Sequence, residues 1–142
     1  MCLRALAVFF ACSVIAAGQP QADAAKEDLK KLQGAWKVEK LEAGGMEIKD
    51  VKLGTLTFKD NLIPEFGTEM TVKLDPSKKP KEIDLVRTKD GRPWYGVYEL
   101  DGDKLKLALA LVEPGKLADQ KRPTDFDTKK PQMVFTLTRA KP

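Results

Sequence analysis

The sequence predicts an all-β fold: an antiparallel up-and-down barrel of about eight strands with a short N-terminal helix. Three observations predict it. First, residues 94–111, WYGVYELDGDKLKLALAL, read as a hairpin about Asp101-Gly102-Asp103, because Asp-Gly between alternating apolar runs favours a tight turn. Pairing Leu105 with either Leu100 or Tyr98 puts Trp94, Gly96, Tyr98 and Leu100 on one face with Leu105, Leu107, Leu109 and Leu111. Glu99, Lys104 and Lys106 then share the other face as a cross-strand charge pattern. Second, most of the chain repeats this alternation in short stretches separated by turn residues. Third, short turns make sequence neighbours antiparallel partners, and a meander with one apolar face avoids open edges by curling.

The chain begins with a leader. Arg4 precedes an apolar, small-residue run over residues 5–17, the pattern of a secretory signal peptide. Residues 1–24 are therefore expected to be removed, with cleavage after Gly18 or near Ala24, leaving one domain over residues 25–142. The run falls short of the roughly 20 residues of a membrane-spanning helix. A lipid anchor at Cys12 is disfavoured, because Phe9-Phe10-Ala11 matches a lipobox poorly. Cys2 and Cys12 leave with the leader, so the mature domain has neither disulfide nor thiol and stands on its apolar core.

Residues 25–32 read as a short helix, acidic at Asp28 and basic at Lys30-Lys31, the order the helix dipole favours. Residues 34–39 form a first strand with Trp36 and Val38 on one face, and Ala43-Gly44-Gly45 marks its end. Residues 46–52 are weakly patterned: strand, helical turn or loop. Residues 54–58 alternate with Leu56 and Phe58 inward, and Lys59-Asp60-Asn61 turns the chain. In residues 62–67 Pro64 cannot donate to a ladder, which makes this the place where barrel closure would fail. Alternation resumes with Met70, Val72 and Leu74, turns at Asp75-Pro76-Ser77, and returns with Ile83 and Leu85. Lys89-Asp90-Gly91 leads into the central hairpin. A connection of roughly 20 residues follows, long enough to need contacts of its own. The last strand, residues 132–139, puts Met133, Phe135, Leu137 and Arg139 on one face.

An inward Arg139 needs a partner, since a lone buried guanidinium is costly. Barrel closure brings the first strand beside the last, so Arg139 is expected to lie on the Trp36 indole while still donating to carbonyls. Gly34-x-Trp36 with Arg139 resembles the seam of lipocalins and other calycins. Over nearly all of its mature length the chain also resembles a family of small exported bacterial domains abundant in planctomycetes. The matching blocks are Leu32-Gln33-Gly34-x-Trp36, Leu74-Asp75-Pro76 with Lys79-Pro80-Lys81-x-Ile83-Asp84, residues 96–105 (GVYELDGDKL), and Arg122-Pro123-Thr124-x-Phe126. The resemblance implies a lipocalin-like fold and no particular chemistry. Many relatives carry a cysteine where this chain reads Leu107-Ala108-Leu109, so any role of that thiol is absent here.

The residue inventory argues against an enzyme. The chain has no histidine, and Ser77 is the only serine after residue 24. Triads and Cys/His metal sites are excluded. Asp101 with Asp103, or Asp125 with Asp127, offers too few oxygens for calcium and reads better as turn chemistry, so no metal and no cofactor is expected. A net charge of +4 with scattered lysines, Lys78-Lys79-Pro80-Lys81 being the one dense patch, does not make a nucleic-acid surface.

Three function classes remain in view: an exported barrel binding a small apolar or amphipathic molecule; a periplasmic or extracellular interaction or inhibitor domain with a filled barrel, a monomer in either case; and, weakest, an enzyme working with carboxylates alone, for which no spacing points to an acid–base pair. For the first, the ligand mouth would comprise Trp94, Gly96, Tyr98, Arg122 and Phe126. Gly96 leaves room, while Phe126 acts as a lid or fills the barrel end as a plug, and Arg122 meets an anion or a carboxylate.

Overall fold

The computed structural model describes residues 20–49, 54–65, 68–112 and 115–141. The expected leader, with Cys2 and Cys12, lies outside them up to residue 19, as do Phe66 and Gly67 of the irregular stretch. A helix, α1 (Pro20–Leu32), precedes β1 (Gly34–Ala43), β2 (Met46–Glu47), β3 (Thr55–Phe58), β4 (Leu62–Ile63) and β5 (Met70–Asp75). Then come β6 (Lys81–Arg87), β7 (Pro93–Asp101), β8 (Lys104–Ala110), a 3-10 turn at Leu117–Asp119 and β9 (Gln132–Arg139). Among the described residues the fold is all-β and antiparallel apart from α1, and no helix there is long and apolar enough to cross a membrane.

The strands pair in the order β2-β1-β9-β8-β7-β6-β5-β4, with β3 also on β1. The sheet therefore curls back on itself as an open barrel. Among the described residues its two flanks meet narrowly, through the bridge between Lys59 and Leu62 that joins β3 to β4 and a bond from the Thr57 amide to Glu65. The sequence places the weak point here for a clear reason: β4 is two residues long and stops at Ile63, directly before Pro64.

The central hairpin pairs Leu100 with Leu105 and Glu99 with Lys106, and Gly102 turns it with a φ of +56°. Inside the curl, Trp36, Leu56, Phe58, Ile63, Ile83, Leu85, Tyr98, Leu105, Leu107, Leu109 and Leu137 are each at most 2 % exposed. These side chains form one cluster with Leu32 of α1, so the helix closes one end of the barrel.

Three details depart from the alternation. A bulge between Val38 and Lys40 shifts the register of β1 on β9, which carries the strand past residue 39 to Ala43 and turns Leu41 inward. Gly44 and Gly45, both at positive φ, then turn β1 into β2. Leu111 lies beyond β8 and is exposed rather than inward. The outer face of the hairpin is not wholly wet either: Val97, Ala108 and Val134 form a second buried row, covered by Phe126.

Candidate functional site

The seam lies where α1 ends and β1 begins. Trp36 and Arg139 are register partners, and the guanidinium sits 4.4 Å from the centre of the indole. Arg139 also donates to the carbonyls of Gln33 (2.9 Å) and Lys31 (2.5 Å), and its Nε reaches Asp103 at 3.0 Å. The last carbonyls of a helix have no partner within it, and a cation there also suits the dipole. The indole Nε1 donates to a further one, that of Leu32, at 2.7 Å. Gly34 takes a φ of +101°, which lets the chain leave the helix straight into the strand. Gln33 completes the corner. Its amide both donates to and accepts from the Asp60 backbone at 2.7 Å, which fixes the turn carrying the narrow link between β3 and β4.

A second constellation was not legible as a site. Asp28 is 5 % exposed beneath α1. It accepts from the Tyr98 hydroxyl at 2.8 Å and from Lys81 Nζ at 2.7 Å, with Lys31 at 3.8 Å. Burial alone pushes the Asp28 carboxyl up. The bonds from Lys81 and Tyr98 and the nearby charges outweigh it and hold the group below its ordinary range. Burial and the bond to Asp28 push the Tyr98 phenol well up, so it keeps its proton. A carboxylate, a phenol and an ammonium together would suit proton transfer, but two of the three are closed off between helix and sheet, and the group latches α1 to the barrel. A depressed pKa stabilises the fold above the ordinary aspartate value of 3.8, and that stabilisation is lost as pH falls through the lower folded value. Denaturation midpoints measured against pH should therefore fall steeply below about pH 4, and Asp28→Asn should flatten that limb. Parallel acid limbs in the two proteins would contradict the latch.

The five expected mouth residues do not form one mouth. Trp94, Gly96 and Tyr98 face inward. Trp94 packs against the core and donates to the Ala110 carbonyl at 2.6 Å. Gly96 leaves no room: a Cβ there would lie 2.5 Å from the Ala108 carbonyl oxygen, 2.7 Å from Leu109 Cδ2 and 3.2 Å from Ile83 Cγ2. The neighbouring strand and side chains already occupy the space its missing side chain leaves.

Arg122 and Phe126 lie on the opposite, outer face, although Phe126 and Tyr98 both reach one groove at the rim beside the β5–β6 turn. Arg122 pairs with Asp84 at 2.7 Å and Glu82 at 3.6 Å, donates to the Gly96 and Ile83 carbonyls, and stacks 4.8 Å from the Tyr95 ring centre. Phe126 neither dips into the barrel nor plugs its end, because it covers Val97, Ala108 and Val134. Residues 120–126 of the connection between β8 and β9 thus form a strap across the outside of the sheet. The Gln120 amide supports it by bonding the backbone of Tyr95 and Pro93, where β7 runs beyond its register with β8. Farther on, Thr128 accepts from Gly45 of the β1–β2 turn.

Three of the four candidate aspartates have partners within the fold. Asp103 serves Arg139. Asp125 and Asp127 accept from backbone amides two residues on, Asp125 pairs with Lys130, and the buried Gln132 amide bonds both their carbonyls. Among the described residues no cluster of three or more His, Cys, Asp or Glu is placed to hold a metal ion. Compared with known proteins, the chain matches no protein family, no curated protein and no solved structure.

Proposed function

We propose that this is a non-catalytic, exported interaction module that meets a protein partner with the outer surface of a filled barrel. The observation that carries this reading is the packed interior, in which Leu85, Leu107, Leu109 and Leu137 are fully buried and the position of Gly96 is closed by its neighbours. A filled barrel favours recognition on the outside over a small apolar molecule within. Export rests on the Arg4-led apolar run, and the absence of histidine from the chain supports a non-catalytic role. The lipocalin-like assignment rests on the Gly34-x-Trp36 and Arg139 seam. It is a likeness of one corner of the fold, so it carries no function with it.

Native mass spectrometry of the protein isolated from its own source tests this reading. The expected mature chain starts between Gln19 and Lys26, and the expected companion is another protein. A stoichiometric small molecule retained by the folded chain would sink the proposal and restore the ligand-carrier reading. A chain starting at a lipid-modified Cys12 would make it a membrane-anchored protein.

A further inference from the structure

β7 continues past its last register pair with β6, Lys81 with Tyr98, and runs on to Asp101. Between that projecting end and the β5–β6 turn lies an open groove of about 280 Å³. Its apolar lining comes from Pro76, Pro80, Tyr98, Leu100 and Phe126, which belong to three distant stretches of the chain. Lysines surround it. Lys78 and Lys79 are exposed and have no partner among the described residues, while Lys81 is held by Asp28 with its ammonium 5.9 Å from the Tyr98 ring centre. The one carboxylate on the lining is Glu99, which is the register partner of Lys106 across the hairpin.

An apolar floor beside two unpaired cations is complementary to an apolar group flanked by acids. The groove is slightly below the usual size of a small-molecule pocket and wide enough for one large side chain. We propose that this groove is the docking site for an acidic segment of a partner protein, which seats one aromatic or branched side chain on Leu100 and Phe126 and places carboxylates against Lys78 and Lys79. The proposal rests on the outer-surface reading above and names the part of that surface that does the work. Opposite charges across such a rim speed encounter and fix register more than they add affinity.

The test is amide-shift mapping on the full mature chain with a blocked Asp-Glu-Phe-Glu-Asp peptide. Shifts are expected at residues 76–81, 98–100 and 126, and added salt should weaken them. Lys78→Gln with Lys79→Gln, both at exposed positions where such changes are expected to leave the fold intact, should reduce affinity about three- to tenfold. A peptide with alanine for phenylalanine, and one with lysines for the acids, should bind more weakly still. Equal binding by the lysine peptide would overturn the proposal, as would affinity weaker than about 1 mM. Shifts elsewhere on the outer face would refute the groove while leaving the outer-surface reading intact. Shifts confined to Leu107, Leu109 and their interior neighbours would refute both.

Discussion

Replacing Trp36 with alanine is expected to destabilise the protein by about 3–5 kcal/mol, the range for emptying a buried aromatic site. That is a large share of the 5–15 kcal/mol typical of a domain. Three losses coincide at this position. The core loses a fully buried indole, the Leu32 carbonyl loses its donor, and the Arg139 guanidinium loses the surface it lies on. Arg139→Ala should cost less, because its side chain is partly exposed, yet it strands the Lys31 and Gln33 carbonyls at the helix end. Urea denaturation of the two single variants and the double variant gives the coupling between them. The stack predicts a coupling of about 1 kcal/mol, and simple additivity would show that the two residues act independently.

Much of this corner was legible because the demands of an inward arginine are specific. Alternation in β9 places Arg139 on the core face, only an aromatic plane and carbonyls suit it there, and curling brings β1 alongside. The hairpin was equally plain, since Asp-Gly between alternating runs fixes both the turn and the faces. The signals failed where period two was broken or where both faces were covered. A single extra residue near Glu39 turns Leu41 inward, and nothing in Val38-Glu39-Lys40 announces the bulge.

The outer row did leave a trace. Val97, Ala108 and Val134 are apolar at outward positions of three adjacent strands, which implies a cover, and the long connection with Phe126 was the available candidate. Arg122 and Phe126 read from sequence as mouth residues, a lid or, in preference, a plug for the barrel end, because a loop of that length is either functional or ordered by its own contacts. The carboxylates and ring that hold Arg122, at Glu82, Asp84 and Tyr95, all stand on the outer side of their strands. Asp28 gave no signal beyond helix charge, since its partners Lys81 and Tyr98 lie 53 and 70 residues away.

Gly96 offers the sharpest disagreement between sequence and structure. A small residue among large inward ones reads as space for a ligand, but strand β8 approaches so closely that even a methyl group has none. Gly96→Ala is expected to cost about 1–3 kcal/mol through overpacking. Gly96→Leu should exceed about 4 kcal/mol, because its branch must also displace Leu109 and Ile83 from a packed core. The unfolding midpoint of Gly96→Leu in urea is therefore the most direct test of a filled barrel that works from its outside. The account predicts a midpoint far below that of the unmodified protein, or no cooperative transition at all. A Gly96→Leu protein that unfolds at the original midpoint would mean that the interior has room to spare, and would contradict it.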